Sequence, residues 1–306
     1  MTASDTTPLR IAITGATGFL GTALARHLRA AGHGVVPITR SPVGAGPEAV
    51  LWNPERGELD PAALEGIDAL IHLAGENIAQ RWTDAAKREI RESRVRSTKL
   101  IARALAAMQR PPHVWLSGSA VGIYGNRGTE LLDESSAPGK GFLADVVQAW
   151  EGATEAAHRG DVRVVHLRSG LVLDAHGGAL PKMLPPFRIG LGGKIGSGEQ
   201  MMSWIERGDW VRAVEKLLRS PLVKGPVNLV APTPVSNAEF SATLGRVLGK
   251  PAMLTVPEFA IRLALGEMGE EVLLAGQRVV PTRLLGAGYS FDHETVDAAL
   301  RAALSA

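Results

Sequence analysis

The stretch "RIAITGATGFLG", residues 10 to 21, decides how the rest of the chain is read. "RIAIT" is a short apolar run that suits a buried strand, and "FLGTALARHLRAAGH" (19 to 33) has a helical apolar period that Gly32 can stop. Between them, Gly15, Gly18 and Gly21 recur every third residue. Gly15 permits the tight turn, Gly18 lets the backbone approach a pyrophosphate, and Gly21 lets the helix pack closely on the strand. The helix N-terminus adds free N–H groups and a partial positive charge. Gly15, Thr17, Gly18, Phe19, Leu20 and Gly21 are therefore expected to cradle a dinucleotide; the competing reading is a glycine-rich turn with no ligand.

Working outward, short apolar runs alternate with longer periodic segments, the rhythm of βαβ units on a parallel sheet. Residues 34 to 39, 49 to 52, 69 to 74, 113 to 118 and 163 to 169 read as further strands, and residues 83 to 109 as a long helix. Six parallel strands with covering helices make an α/β, Rossmann-type doubly wound sheet. From residue 174 the texture turns rich in Gly and Pro, long enough for a short helix and loops. The expected division is a Rossmann domain over 1 to 173, to which 203 to 230 return, and a smaller, partly helical C-terminal lobe over 174 to 306. The second strand ends in "PITRSP", where an NAD-selective site usually offers a carboxylate to the ribose. Arg40 stands there instead, and a guanidinium suits the 2′-phosphate of NADP(H).

With 45% hydrophobic and 21% charged residues the chain can bury a sizeable core. Its formal charge is only +2 and the charges are interspersed, so neither nucleic acid nor an anionic membrane is expected as a partner. There is no Cys, which excludes disulfides and thiolate chemistry. The eight His residues form no paired motif, and no metal site is expected. No signal-peptide core or long apolar span is visible, and a cytoplasmic location is the expectation.

"TGATGFLG", "LIHLAGENI", "WLSGSAVGIYG" and "LRSGLVL", in that order and spacing, resemble the extended branch of the short-chain dehydrogenase/reductase superfamily, the nucleotide-sugar epimerases and dehydratases. "LAGENIAQRWTDAAKREIRESRVRST", "FLADVVQAWE" and the C-terminal "EFSATLGRVLGKPAMLTVPEFAIRLALGEM" resemble an atypical subgroup of it, labelled nucleoside-diphosphate-sugar epimerase or cell-division-inhibitor-like. The resemblance implies that Leu73, Ala74 and Gly75 pass over the adenosine half of the cofactor, and that Ser117 and Gly118 lie in the serine-rich strand end. It implies that Ser119 hydrogen-bonds a substrate oxygen, and that Gly170, Leu171 and Val172 run near the nicotinamide. Trp52 falls where an adenine contact is expected, core packing being the alternative. Asp209 matches a structural acidic position.

Hydride transfer at a carbinol needs a proton moved at oxygen, and the family's usual means is Tyr-x-x-x-Lys on one helical face. Aligned by Glu151, those positions hold Leu143 and Val147. The only tyrosines are Tyr124 and Tyr289, and no Lys occurs from 141 to 181. Leu143, Val146, Val147, Trp150 and Ala153 form an apolar stripe instead. Where sugar epimerases carry an active-site Asn, this chain has Ser93 or Arg94; a buried Arg there demands an anion, either a substrate phosphate or carboxylate or simply Glu76. Tyr124 is a candidate for replacement chemistry, against a loop-packing Tyr with its hydroxyl in solvent. Glu76, Asn77 and Arg81 are candidates for the pocket lining, against an ordinary ion pair, and Lys87 and His166 are weaker candidates.

Three functions follow. One is an NADP(H)-dependent oxidoreductase on a small carbonyl or hydroxyl compound, working without the usual dyad. The second is a non-catalytic NADP(H)-binding protein that orders a surface for a protein partner. The third is an ordinary nucleotide-sugar epimerase, with Arg188 and Lys194 as its only scattered phosphate contacts. Whether the chain is a monomer or a homodimer stays open.

Overall fold

The computed structural model describes residues 7–41, 43, 46–160 and 162–305. Strands β1 (Arg10–Thr14), β2 (Gly34–Thr39), β3 (Val50–Asn53), β4 (Glu58–Leu59), β5 (Ala69–His72) and β6 (Val114–Ala120) come first along the chain. After the short β7 (Leu131–Leu132) follow β8 (Arg163–Ser169), β9 (Leu171–Leu173), β10 (Gly193–Ile195), β11 (Met201–Met202), β12 (Trp204–Glu206) and β13 (Gly225–Leu229). One eight-stranded sheet runs in the order β13-β8-β6-β5-β1-β2-β3-β4. Every pair in it is parallel except β3 with β4.

The sequence led us to expect six parallel strands, and the sheet has two more. The two residues of β4 are too few to show a period, and β13 opens with Gly225-Pro226, which disguises a strand that is buried from Val227 onward.

The order reverses at β1, whose neighbours are β2 on one side and β5 on the other. In a doubly wound sheet the ligand crevice lies at such a switch point, beyond the carboxyl ends of the strands. Helices α1 (Phe19–Ala30) and α5 (Arg207–Leu218) cover one face, where Leu24, Leu28, Trp210 and Leu217 pack on Ile11, Ile13, Ile71 and Leu116. On the other face α2 (Asp84–Ala107) buries Ile101 and Leu105 against Ala12, Leu70 and Trp115, and α3 (Phe142–Gly152) lies beside it.

A second core joins α4 (Leu180–Arg188), α6 (Asn237–Leu248) and the terminal helix Val296–Ser305 through Leu184, Phe187, Trp204, Phe240, Leu244 and Leu300. Helix α7 (Glu258–Leu265) buries no residue. Among the described residues, no helix is long and apolar enough to cross a membrane.

Candidate cofactor and active site

Gly15 and Gly21 each have a steric reason, and Gly18 a different one. Gly15 sits at φ +68°, and a Cβ there would lie 3.0 Å from the Ala74 nitrogen and the Leu73 carbonyl carbon. At Gly21 a Cβ would come within 2.0 Å of the Gly15 oxygen, so any side chain would drive α1 off the strand. Gly18 is exposed and is the N-cap of α1, which no side chain caps. Helices α2, α5 and α6 are capped by Thr83, Glu206 and Ser236. The first-turn N–H groups of α1 are thus left for a ligand. Thr17 is exposed beside Gly18, while Phe19 and Leu20 are half-buried. Phe19 lies so close to Gly177 that a Cβ there would be 2.1 Å from its ring, which brings the segment after β9 over the phosphate loop.

The loop after β5 is held by a hydrogen-bonded chain that the sequence reading missed. Ser97 Oγ donates to the Ser93 carbonyl at 2.6 Å, so it can only accept from His72 Nε2, 3.0 Å away. That leaves His72 Nδ1 to accept from Thr14 Oγ1 at 2.7 Å, and Thr14 Oγ1 to accept from the amides of Leu73 (3.1 Å) and Ala74 (3.3 Å). The buried His72 therefore ties α2 to the loop that touches Gly15. Burial first, and then the charge of Arg94, push its pKa down to about 3. The "HLAG" motif contained this residue, but nothing in its spacing pointed to Ser97 as partner.

Arg40 is exposed just beyond β2, and among the described residues no carboxylate lies within ion-pairing distance of it. Trp52 is a different matter. It is 6% exposed, packed with Val36, Ile38 and Leu70, and set edge-on to His72 at 6.0 Å between centroids. With so little surface free, it fills the core, the alternative weighed against an adenine contact. Gly118 allows β6 to run 2.9 Å, measured from a notional Cβ, from the His72 carbonyl and the Trp150 ring. Gly170 likewise lets the chain cross Ser203 and Val230, after which half-buried Leu171 and buried Val172 pair with β12.

Where the family has its dyad, α3 offers only apolar side chains. Val146, Val147 and Trp150 are buried, and half-buried Leu143 faces Gly122. The remaining hydroxyls are already committed. Ser117 is fully buried, and Ser119, 5% exposed, donates to Glu151 Oε1 at 2.6 Å. Arg168 grips the same carboxylate with Nε and Nη2 at 2.8 and 2.9 Å. The Tyr124 hydroxyl is not in solvent: it donates to Asn228 Oδ1 at 2.8 Å and accepts from Arg168 Nη1 at 3.0 Å.

Burial alone would raise the Glu151 carboxyl, but Arg168 holds it below the usual carboxylate range. Burial raises the Tyr124 phenol above its ordinary value despite Arg168. Tyr289, the other tyrosine, is spent on Asp209. Ser119 and Tyr124 are therefore parts of a closed polar cluster, and neither presents a free proton to the crevice.

Of the expected pocket residues, Glu76 accepts from Gln80 and Asn77 from the Ala79 amide, while Arg81 is exposed. Glu76 and Arg81 form no ion pair with each other. Lys87 pairs with Glu267 and lies over Phe142, and His166 contacts Thr154. Asp209 accepts from Tyr289, Arg212 and two backbone amides. Glu206, Asp209 and His293 converge closely enough for an ion, yet these donors already fill the Asp209 carboxylate. Sequence reasoning also missed Glu271, which receives the Phe142 and Leu143 amides at 2.7 and 2.8 Å and so caps α3 from across the chain.

Fold and site together define a dinucleotide-binding α/β protein of the short-chain dehydrogenase/reductase type, with the cofactor cradle kept and the proton-transfer dyad replaced. The chain belongs to the NAD dependent epimerase/dehydratase family, whose model matches residues 11–229; residues 256–303 match a domain of unknown function, DUF1731. It is 45% identical over 291 residues to the epimerase family protein Mb2239 of Mycobacterium bovis, a match covering 95% of this chain and 96% of that one. With the human epimerase family protein SDR39U1 it shares 39% identity over 298 residues, covering 96% and 99% of the two chains. The crystal structure of human SDR39U1 (isoform 2) with NADPH superposes with a TM-score of 0.88 at 37% identity, over 97% of this chain and 99% of that one.

Proposed function

We propose that this chain binds NADPH in the crevice at the β1/β5 switch point and reduces a small, polarised carbonyl compound without a side-chain proton donor. The observation that carries this reading is the intact cradle: Gly15 and Gly21, which a Cβ would jam, and exposed Gly18 at the uncapped start of α1. Unpaired Arg40 at the end of β2 supplies the charge for a 2′-phosphate, and the human relative was crystallised with NADPH. Bound NADPH would supply the hydride. The apolar face of α3 excludes water from one side, and the carbonyl oxygen takes its proton from solvent, since Ser119 and Tyr124 are engaged elsewhere. A general acid is typically worth ~10²- to 10⁴-fold, so its loss slows the reaction without forbidding it.

A second reading, a non-catalytic NADPH-binding protein that presents a surface to a partner, draws on the same locked hydroxyls. The sugar-nucleotide reading has less support. Arg188 is exposed, Lys194 is tied to the Ser197 carbonyl, and they form no cluster.

Two measurements test the proposal. Arg40→Ala should weaken NADPH binding by about tenfold or more, in line with the loss of one charged contact, and leave NADH binding nearly unchanged; equal loss of both removes the assignment. Adding aldehydes, quinones and keto compounds to the NADPH-loaded protein should make the cofactor fluorescence decay. Bound NADPH with no decay across the panel would transfer the proposal to the non-catalytic reading.

A further inference from the structure

Arg163 and Arg168 are drawn into the fold, and both spend their donors. Arg163 donates to the carbonyls of Leu217, Leu218 and Val223, and Arg168 to Glu151 and Tyr124. Arg94 does not. Among the described residues it makes one hydrogen bond, from Nη1 to the Ile90 carbonyl one turn back on α2, at 3.0 Å. Among the described residues, no carboxylate lies within ion-pairing distance of it. Glu76, the acid whose charge reaches it, is hydrogen-bonded to Gln80. Desolvation accordingly pulls the guanidinium down to about 10, whereas Arg168, paired, is raised.

Its position is as telling as its bonding. The guanidinium lies over the Trp150 ring at 5.1 Å from the centroid, and its carbon sits 3.2 Å from a notional Cβ on Gly75. Trp150 in turn touches Gly118. Arg94 is therefore held beside the carboxyl ends of β5 and β6 by contacts that leave its other N–H groups without a hydrogen bond among the described residues. Arg94 is only half-buried, and the buried Trp150 indole N–H under it has no partner among the described residues. A charge kept in this state is costly unless an anion arrives, and the planar fork matches an oxyanion with two coplanar oxygens.

We propose that Arg94 is the anchor for a carboxylate or phosphate group of the substrate, which makes the acceptor an anionic carbonyl compound. The proposal rests on NADPH occupying the crevice. The alternative source of the oxyanion is the cofactor's own phosphates, and the experiment separates the two.

NADPH affinity is measured first, by fluorescence, for the wild type and for Arg94→Gln and Arg94→Lys. Failure of the wild type to bind NADPH would overturn the cofactor reading itself. The NADPH-loaded proteins are then titrated with oxalate and with inorganic phosphate by calorimetry. We expect saturable binding of at least one anion to the loaded wild type, weakened tenfold or more in Arg94→Gln and less in Arg94→Lys, with NADPH affinity changed by less than threefold. If Arg94→Gln loses NADPH in parallel, the guanidinium belongs to the cofactor and the proposal falls. It falls equally if neither anion binds the loaded wild type, or if Arg94→Gln binds them as well. Thermal unfolding adds a readout that a structural role would move the other way: Arg94→Met should raise the melting temperature, because an unpaired charge leaves, and a fall would speak for a structural arginine.

Discussion

His72 is the residue through which α2 and the phosphate loop hold each other, and its chemistry gives the fold a pH dependence with a defined sign. The ring is neutral in the fold, with its pKa at about 3 against 6.5 for the free side chain. Above 6.5 both folded and unfolded chains hold a neutral ring, and its full contribution is present. As pH falls from 6.5 toward 3 the unfolded chain takes up a proton that the folded one refuses, so stability is lost at about 1.4 kcal/mol per pH unit. His33 is lowered too, by burial and by Arg219, and adds to the same slope. His72→Asn should cost about 1 to 3 kcal/mol at neutral pH, because Thr14 and Ser97 lose a partner. It should also flatten the slope of unfolding free energy between about pH 6.5 and 5 by one proton. Urea unfolding at several pH values measures both, and an unaltered slope would mean that the ring is not the titrating group.

At the scale of elements, legibility followed local cause. The strand-loop-helix at residues 10 to 30 was readable because the constraint is written in adjacent residues: an apolar run, three glycines and an amphipathic helix. The same held for α2, expected over 83 to 109 and found over Asp84–Ala107, and for the apolar stripe of α3. The partners of that stripe were not readable. Glu271 caps α3 from 128 residues away in sequence, and Asn228 takes the Tyr124 hydroxyl from 104 away. No local pattern encodes either contact. Ser119 shows the limit most clearly. Its place at the end of β6 was legible, but its proton goes to Glu151, one helix away, and only the packing of α3 on β6 discloses it. Trp52 was ambiguous for a related reason: a large aromatic at a strand end serves core and ligand equally until its exposure is known.

At the scale of the molecule, the C-terminal stretch matching DUF1731 is built into both cores. Leu284, Tyr289 and Phe291 pack in the core over β1, β5, β6 and β8, and the Tyr289 hydroxyl donates to Asp209 at the start of α5. Val296, Ala299, Leu300 and Ala303 complete the second core, while Glu271 and Glu267 reach back to α3 and to Lys87 on α2. Removing this stretch would strip apolar cover from two cores, leave Asp209 with Arg212 in place of its fuller set of donors, and leave the N-terminus of α3 uncapped. A domain is usually stable by only ~5 to 15 kcal/mol, so losses in two cores at once weigh heavily. The full chain is therefore expected to unfold in one cooperative step, followed alike by tryptophan fluorescence and far-ultraviolet circular dichroism. A chain ending at Thr255 is expected to show no cooperative transition and no NADPH binding. Recovery of a sharp transition with NADPH bound in that shortened chain would mean that the sheet and its helices are a self-sufficient unit and that the C-terminal stretch is an addition to it.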